Sequence, residues 1–553
     1  MTLGRANRTD LLLALGAAGA ALVYFLSYAR YGYMEDSGYL VEGVLRVMDG
    51  QCIYRDFHHT YAPGRFYLFA GLFSLFGKNL MVVRVTWAVL LAVKAGLAYW
   101  VGRRLTSRTF GLLLALLVTL LPGPWHKTLF PLTAFVLLAG LTAVAERPGV
   151  RTHLLVGVLT GVAALFRQDV AGFGAVGILA LGVVRAAGRR DATRWSSFGR
   201  DAAAYAGGVL LVAVPAAVAF ARAGALDDAF RGVFLEGMRD NRSNRLPFPV
   251  PWPVTDYGRA HALPVTLLKL LFYLPPVVIL WTAVRTTIRF LRRRSDEGDL
   301  LLVGALVLAA GCFNQSLWRS DFPHLYQSLQ PAWLLTVVLL ASAARWIAGR
   351  VRTADVRWGV RAILFAAPLS LIVFPMLWCC GQIESSRAFF ALREEGLYVR
   401  SVEYTGSILL RRGKTHRLTL PRAPLIVEEN RARFFEIVGR VLDEHTHAGD
   451  PIVSVPGFQT VYFLFDRKNP TRYLHIRRAL EPEEEDAFIR DIVDSNTELI
   501  LLSDVAIDGD RQRRFPVYAR RIYEWMMRNY EVDSAVGHLV FLTKRRPTVE
   551  TGG

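Results

Sequence analysis

Segment 30–65 concentrates side chains that could do acid–base chemistry. They are five carboxylates and two adjacent histidines: Glu35, Asp36, Glu42, Asp49, Asp56, His58 and His59. A carboxylate beside a hydroxyl group can act as a general base, whereas carboxylates and imidazoles together can bind a divalent ion. The second alternative would use Asp36, Asp56, His58 and His59, whose spacing matches no specific metal motif. The sequence therefore identifies no cofactor, and a divalent metal stays open as an alternative.

The same segment also has a purely structural interpretation. Leu40, Val44, Val47 and Met48 recur at helical spacing, which predicts an amphipathic helix over 37–49 on the membrane surface. Asp36 would then be the N-cap of this helix, and Glu42 and Asp49 would lie on its solvated face. A second, short apolar helix is predicted over 66–76, after Pro63-Gly64. From spacing alone, the structural role of Asp36 is favoured over a catalytic one.

The composition shows what must position these residues. Of 553 residues, 53% are hydrophobic and 20% are charged, and the mean hydropathy is +0.30. A soluble globular chain carries about a quarter charged residues. These values exclude a disordered tail, a disulfide scaffold and a collagenous repeat. They favour a polytopic membrane protein with a soluble part attached.

The positive charge is unevenly distributed. Residues 381–553 contain 26 basic and 26 acidic side chains, whereas residues 1–380 contain 39 and 20, which accounts for the whole net charge of +19. An isoelectric point near 10 could suggest a nucleic-acid partner. Here the basic residues cluster in short loops between apolar runs, as the positive-inside rule requires, so no nucleic acid is expected.

About eleven apolar segments are long enough, or nearly so, to cross a hydrocarbon core of about 30 Å. They lie at 11–29, 82–102, 109–122, 127–146, 152–166, 169–187, 203–222, 263–285, 300–316, 325–347 and 359–379. Alternate loops carry 22 basic residues in 66 positions, against 12 in 91 for the opposite set. The first set is therefore predicted to be cytoplasmic, and an odd number of spans places the C-terminal domain outside the cytoplasm. The first segment is read as a retained anchor, with cleavage after Ala29 as the alternative.

Two glycine patterns in these segments are interpreted as helix packing. Gly172-Phe-Gly174-Ala-Val-Gly177 has the spacing of a dinucleotide fingerprint, but it lies inside an apolar segment with no strand before it. Gly157 and Gly161 form a GxxxG pair, which brings helix backbones close together. Neither pattern indicates a nucleotide site.

The motifs that follow the first span resemble those of the GT-C superfamily of polytopic glycosyltransferases, in particular the branch of the protein O-mannosyltransferases, the lipid A aminoarabinose transferase and their bacterial relatives. The matching residues are Glu35-Asp36, Gly50-x-x-x-Tyr54-Arg55-Asp56-Phe57, Pro63-Gly64 and Phe76-Gly77. The resemblance implies that Asp36 is the catalytic base, that Glu35 is its neighbour and Asp56 a second loop acid, and that the donor is a sugar on a polyprenyl phosphate. Gly64 stands where relatives often have a second proline, which leaves the subfamily open.

A polyprenyl-phosphate donor would need cations, because negative charge develops on the leaving phosphate oxygen as the sugar–phosphate bond breaks. Arg167, Arg319 and Lys127 lie in predicted outer loops and are the candidate phosphate ligands. The alternative for Arg167 is a snorkelling hairpin tip. Asp321 and His324 follow Arg319 closely and are candidate accessory residues, together with His58 and His59.

The C-terminal residues 381–553 are long enough for one domain, and their pattern alternates between strands and helices. Helices are predicted over 428–446, 458–465, 481–493 and 516–529, strands over 451–455, 498–502 and 535–542, and a turn into a strand at 469–473. This pattern predicts a small extracytoplasmic α/β domain without a nucleophile triad or a phosphate loop.

The sequence thus predicts a membrane domain over 1–380, with its catalytic first external loop at 30–65, and an α/β domain over 381–553. The predicted function is inverting transfer of a sugar from a polyprenyl phosphate to an extracytoplasmic glycan, lipid or protein acceptor. The predicted location is a bacterial plasma membrane, among membrane lipids. The alternatives are a transporter or flippase of envelope lipids and a catalytically silent scaffold.

Overall fold

A computed structural model describes the chain over ten ranges: 7–27, 29–32, 38–121, 124–239, 244–250, 266–267, 269–350, 353–382, 415–507 and 510–545. The chain divides into two compact units. The helical unit comprises Met1–Ala29, Arg84–Ala219 and Asn244–Arg411, and the mixed unit comprises Arg30–Val83, Phe220–Ser243 and Arg412–Gly553. Segment 30–65, predicted to carry the chemistry, thus belongs to the same unit as most of the C-terminal α/β segment.

Fourteen helices precede residue 383 in the described ranges. In chain order they are α1 Arg8–Ser27, α2 Gly38–Met48, α3 Gly64–Phe76, α4 Leu80–Leu105, α5 Arg108–Leu120, α6 Leu129–Glu146, α7 Val150–Ala164, α8 Gln168–Gly188, α9 Arg194–Arg222, α10 Leu226–Phe230, α11 Leu274–Leu291, α12 Glu297–Trp318, α13 Phe322–Ala348 and α14 Ala354–Gln382. A 3₁₀ turn, Trp125–Lys127, precedes α6, and a π-helical turn, Arg231–Glu236, follows α10.

Each of the eleven predicted spans coincides with a helix. Among the described residues, eight helical segments are long and apolar enough to cross a membrane: Arg8–Ser27, Leu80–Leu105, Trp125–Glu146, Gln168–Gly188, Arg194–Arg222, Lys269–Leu291, Glu297–Trp318 and Pro323–Ala348. The apolar helices Arg108–Leu120, Val150–Ala164 and Trp358–Ser370 are shorter. The polytopic helical architecture is therefore confirmed, whereas the count of eleven spans stays a prediction.

Small residues let the helices of the helical unit approach closely. A Cβ atom on Gly177 of α8 would lie 2.8 Å from the carbonyl oxygen of Gly304 of α12. Gly157 and Gly161 of α7 face the backbone of α9 in the same way. Large side chains in the core of these helices, such as Phe130 and Trp333, are fully buried. Gly157, Gly161, Gly174 and Gly177 therefore serve helix packing, as predicted, whereas a Cβ atom on Gly172 would meet nothing within 4 Å.

The C-terminal part of the mixed unit is an α/β layer. Its strands are β1 Thr415–Arg417, β2 Ile426–Glu428, β3 Ile452–Val455, β4 Leu499–Ser503, β5 Tyr530–Val536 and β6 Leu539–Lys544, and its helices are α15 Glu429–His445, α16 Thr460–Leu464, α17 Pro482–Asp494, α18 Phe515–Tyr518 and α19 Arg520–Asn529. The larger sheet has the order β3-β4-β6-β5, in which only β3 and β4 run parallel. Buried side chains such as Ile500, Leu542 and Phe488 fill the space between this sheet and its helices. The predicted α/β class is confirmed.

Three local predictions were wrong. The single strand predicted over 535–542 is a hairpin of β5 and β6, because Gly537, with φ of +61°, allows the chain to turn there. The strand predicted after the turn at 469–473 is a single bridge between Tyr473 and His58. Glu42 is not on a solvated face: it is only 3% exposed, whereas Asp49 is exposed as predicted.

Candidate functional site

The amino-terminal end of α2 packs closely against α16. Glu35 and Asp36 fall outside the described residues, and α2 begins two positions after Asp36, at Gly38. A Cβ atom on Gly38 would lie 2.5 Å from the Thr460 Oγ1 atom and 2.6 Å from the Thr460 backbone nitrogen. Only glycine therefore allows α2 to start this close to α16.

Glu42 and Arg46 secure α2 against the C-terminal α/β layer. Asn469 donates a hydrogen bond from Nδ2 to Glu42 Oε1 at 2.6 Å, and the Arg46 Nη2 atom donates to the carbonyl oxygen of Asn469 at 2.8 Å. The Arg46 Nε atom lies 3.5 Å from Glu42 Oε1. Burial raises the pKa of Glu42 to about 8, although Arg46 and Asn469 both act to lower it. The sequence pattern could not reveal this role, because Asn469 is more than four hundred residues away along the chain.

Asp56 builds the turn of the Tyr54-Arg55-Asp56-Phe57 motif. Its Oδ2 atom accepts a hydrogen bond from the Cys52 backbone N–H at 2.6 Å, and Arg55 donates to both of its carboxylate oxygens, at 2.7 and 2.8 Å. The hydrogen bond and charge of Arg55 lower the pKa of Asp56. The turn holds Tyr54 at φ of +75°, a conformation that bulky residues rarely adopt. The hydrogen bonds of the Asp56 carboxylate are thus local and structural.

His59 is held by a buried cation. The Arg65 Nη2 atom lies 2.7 Å from the His59 Nε2 atom, and because a guanidinium can only donate, Nε2 accepts and Nδ1 carries the proton. Arg65 also lies over the Tyr39 ring, 4.9 Å from its centroid, and donates to the Tyr39 hydroxyl at 3.1 Å. Burial and the charge of Arg65 lower the pKa of His59 well below its usual value. His59 is therefore a neutral, oriented imidazole. Through Arg65 it is linked to Tyr39, a residue of α2 that follows Asp36 by three positions in the sequence.

His58 lines a cavity of about 330 Å³ inside the mixed unit. Its backbone N–H donates to the carbonyl oxygen of Arg472 at 2.9 Å, and its ring lies against that of Tyr473. Burial, together with Arg478 and Arg472, lowers the pKa of His58 to about 4, so the ring is neutral at neutral pH. The other lining residues are Tyr54, His59, Asp228, Arg231, Gly232, Glu236, Arg472, Tyr473, Glu483, Glu484 and Ala487. The structure thus brings both predicted histidines to one cavity, with partners that the sequence did not indicate.

A second cluster of polar residues lies in the helical unit, where α7 leads into α8. Arg167 is 9% exposed and forms a two-bonded ion pair with Asp169, at 3.0 and 2.5 Å. Gln315, near the end of α12, donates to the same carboxylate at 3.0 Å. The Arg167 guanidinium also lies 4.6 Å from the centroid of the Phe130 ring, in the first turn of α6. Asp169 and Phe130 therefore orient Arg167 directly, and Gln315 holds Asp169 in place.

Arg319 continues this cluster between α12 and α13. Its Nε atom donates to Asp321 Oδ2 at 2.5 Å, and the His324 Nδ1 atom lies 2.5 Å from the other oxygen, Oδ1. Burial alone would raise the pKa of Asp321, but His324, Arg319 and Lys127 hold it well below its usual range. Asp321 also caps α13 by accepting from the His324 backbone N–H.

The polar residues of the helical unit are connected through the ends of neighbouring helices. The Arg319 backbone N–H donates to the Gln315 carbonyl, one turn back on α12, and Lys127 closes the 3₁₀ turn that leads into α6 and Phe130. Lys127 and Arg319 both act electrostatically on Asp321, and Arg167 pairs with Asp169, which Gln315 joins to the same end of α12. Guanidinium and ammonium groups are donors that suit a phosphate.

Metal binding finds no support among the described side chains. No group of three or more His, Cys, Asp or Glu residues in the described ranges is arranged to hold an ion. Asp36, one of the four predicted ligands, falls outside those ranges.

The chain resembles known proteins in its structure rather than in its sequence. No protein-family model matches the sequence, and no curated protein matches it. Among solved structures, ArnT from Cupriavidus metallidurans bound to undecaprenyl phosphate has a TM-score of 0.52 and 15% identity, covering 97% of this chain and 98% of ArnT. The apo state of ArnT gives a TM-score of 0.52 and 13% identity, covering 96% and 97%.

An oligosaccharyltransferase shows the same likeness over most of the chain. The enzyme from Archaeoglobus fulgidus, tethered to an acceptor peptide, has a TM-score of 0.50 and 11% identity, covering 90% of this chain and 69% of the oligosaccharyltransferase. At these identities the likeness concerns the fold. The chain therefore has the fold of the GT-C superfamily of membrane glycosyltransferases, as the motifs of its first loop predicted.

Proposed function

We propose that this protein transfers a sugar from a polyprenyl-phosphate donor to an extracytoplasmic acceptor, with inversion at the sugar carbon. The observation that carries the proposal is the group of three cations in the helical unit, Lys127, Arg167 and Arg319, in a chain with the GT-C fold. ArnT, which resembles the chain over nearly its whole length, binds undecaprenyl phosphate.

The donor phosphate is assigned to the helical unit. Arg167 and Arg319 are each paired with a neighbouring carboxylate, and these pairs hold the guanidinium planes in place before a ligand arrives. A planar guanidinium can donate two parallel hydrogen bonds to phosphate oxygens. Such donors stabilise the charge that develops on the leaving phosphate as the sugar–phosphate bond breaks.

The base is assigned to Asp36, two residues before α2, with Glu35 as its neighbour. Inverting transfer needs a group that accepts the proton of the acceptor hydroxyl. Asp56 is less suited to this role, because Arg55 and the Cys52 backbone N–H already occupy its carboxylate. We assign Asp56 to the positioning of Tyr54 and the turn.

The remaining features of the proposal concern location and organisation. The protein would lie in a bacterial plasma membrane, with a membrane domain over 1–380 and an extracytoplasmic domain over 381–553. Its partners would be the lipid-linked donor, membrane lipids, and a glycan, lipid or protein acceptor. A mannose donor is one candidate within this class. The likeness to transferases does not favour transport of envelope lipids.

Binding and donor choice test the proposal. Purified protein in lipid nanodiscs should bind polyprenyl phosphate, and Arg319→Gln should weaken this binding by about 10- to 100-fold, the worth of hydrogen bonds to charged groups. Arg319→Lys keeps the charge for Asp321 and should lose less. The control is Arg350→Gln, since Arg350 is exposed beyond the far end of α13.

Turnover provides the second arm. The protein should release polyprenyl phosphate from a polyprenyl-phosphate sugar and should leave nucleotide sugars unchanged. Consumption of a nucleotide sugar in preference would refute the assignment, as would equal binding of polyprenyl phosphate by Arg319→Gln and Arg350→Gln.

A further inference from the structure

The cavity of the mixed unit is formed by three segments that are far apart in sequence. Tyr54, His58 and His59 come from the first loop, residues 228–236 from α10 and the π-helical turn, and residues 472–487 from the α/β layer. The Arg472 Nη2 atom donates to the Tyr54 carbonyl oxygen at 2.9 Å, which joins the first segment to the third. The cavity has a volume of about 330 Å³. This volume is at the lower end of the range for small-molecule sites, which is about 300–1,000 Å³.

The walls of this cavity are polar. Four lining side chains are carboxylates, two are guanidiniums, two are imidazoles and two are phenols, whereas the small residues Gly232 and Ala487 supply the only other surface. An acyl chain would leave these groups without hydrogen-bond partners, which costs free energy for each. A phosphate would face the carboxylates Asp228, Glu236, Glu483 and Glu484. The chemistry therefore points to an uncharged ligand rich in hydroxyl groups.

The four carboxylates differ in whether they form ion pairs. Glu484 and Glu236 both contact Arg478, at 3.1 and 3.4 Å, and the bonds of Glu484 to Arg478 and to the Glu481 backbone lower its pKa to about 2 against the opposing effect of burial. Asp228 and Glu483 make no ion pair with any described residue. These two are left to accept hydrogen bonds from a ligand.

The same cavity also offers donors and a flat surface. The Nδ1–H of His59 makes no hydrogen bond within the described ranges, and His59 is only 7% exposed. Arg231 and Arg472 add guanidinium donors. The rings of His58 and Tyr473, with centroids 5.6 Å apart, add flat aromatic surface to the lining.

From this combination we infer that the cavity binds a saccharide, with Asp228 and Glu483 as its main hydrogen-bond acceptors. The inference rests on the proposed function, because a glycosyltransferase handles sugars on two substrates. One source is the sugar of the lipid-linked donor, and the other is a glycan acceptor. Both offer the same chemistry to this cavity.

The test uses the full chain in lipid nanodiscs and a panel of methyl α-D-mannopyranoside, methyl α-D-glucopyranoside and methyl β-D-galactopyranoside. Saturation-transfer NMR should detect binding of at least one of them. The double variant Asp228→Asn/Glu483→Gln should weaken that binding by about 10-fold or more, since two charged acceptors are replaced by neutral amides.

A matched control makes the same charge change outside the cavity. Glu485 and Asp494 lie on α17 but do not line the cavity, so Glu485→Gln/Asp494→Asn should bind the saccharide as the unaltered protein does. Absence of binding for the whole panel would overturn the inference, and so would equal affinities of the two double variants.

A competition arm separates the two sources. Displacement of the methyl glycoside by a polyprenyl-phosphate sugar assigns the cavity to the donor sugar, and simultaneous binding assigns it to the acceptor. The readout is independent of turnover. Saccharide binding without sugar transfer would uphold the cavity and reject the proposed function, whereas transfer with KM values unaffected by Asp228→Asn/Glu483→Gln would do the reverse.

Discussion

The buried carboxyl of Glu42 gives a pH-dependent prediction with two opposite outcomes. Glu42 is 3% exposed, one of its oxygens accepts from Asn469, and its Oε2 atom has no hydrogen-bond partner among the described residues. Burial raises its pKa from 4.5 to about 8, against the effects of Arg46 and Asn469. The folded protein therefore holds a proton on Glu42 at neutral pH that the unfolded chain has released.

The sign of the effect on stability follows from this difference. A raised carboxyl pKa in the folded state means that the folded protein is less stable as pH rises from 4.5 towards 8. At about 1.4 kcal/mol for each pH unit, the whole range corresponds to about 5 kcal/mol as an upper bound, because relaxation around Glu42 reduces it. Glu42→Gln keeps the shape and the bond to Asn469, removes the titration, and should remove this loss.

The assay is the unfolding temperature of the protein in nanodiscs, measured between pH 5.5 and 8. Over that range the loss is at most about 3.5 kcal/mol. With about 2–4 °C for each kcal/mol in a domain the size of the mixed unit, the unaltered protein should lose up to about 7–14 °C relative to Glu42→Gln. Comparison of the two proteins cancels groups that titrate in both. Asp49→Asn, on the exposed end of α2, is the control and should follow the unaltered protein.

The opposite result has a definite meaning. If Glu42 is ionised and paired with Arg46, 3.5 Å away, then Glu42→Gln leaves a buried guanidinium without its partner and should cost about 3–5 kcal/mol. A lower unfolding temperature of Glu42→Gln at every pH would therefore refute the neutral carboxyl.

Three further predictions follow from the site. Asp36→Asn should lower turnover by about 10²–10⁴-fold with little change in the unfolding temperature, because Asn can cap a helix but cannot take a proton; release of polyprenyl phosphate measures this, and full activity of Asp36→Asn with loss of activity in Asp56→Asn would mean that Asp56 is the base. Burial lowers the pKa of His58 to about 4, so its contribution to stability is complete above pH 6.5 and decreases as pH falls towards 4. His58→Gln should remove this acid-side loss of stability, which amounts to at most about 3 kcal/mol. An unchanged dependence of the unfolding temperature on pH would contradict the buried neutral ring. A reporter that is active only in the cytoplasm should be silent when fused after Gly553, and activity there would refute the predicted topology.

Much of the architecture could be predicted because the relevant patterns are local. The eleven apolar segments all form helices, since an uninterrupted apolar run satisfies its backbone only within itself when it lies in a membrane. Gly157 and Gly161 of α7 and Gly174 and Gly177 of α8 were predicted to pack helices, and they do, whereas Gly172 faces open space. Within the first loop, the helical spacing of Leu40 and Val44 sufficed to predict α2.

Tertiary structure decided which polar side chains are buried and with whom. The pattern of α2 places Glu42 near its polar face, yet Asn469 packs against that position and removes Glu42 from water. The hairpin of β5 and β6 was missed for a related reason, since a single glycine within an apolar run is equally compatible with a continuous strand. Neither decision is contained in a window of a few residues.

The cavity residues show most clearly that a local sequence pattern does not reveal tertiary partners. His58 and His59 stood out in the sequence, whereas Asp228 and Glu483 did not, because separately each is an ordinary acidic residue at the start of a helix. In the helical unit, Arg167 and Arg319 could be selected from their chemistry alone, but their pairing with Asp169, Asp321 and Gln315 depends on which helix ends meet. Sequence by itself determined the elements and the candidate residue types, because propensity and hydrophobic period act over a few residues. Only the folded chain decided the partners, because burial and hydrogen bonding are set by segments hundreds of residues apart.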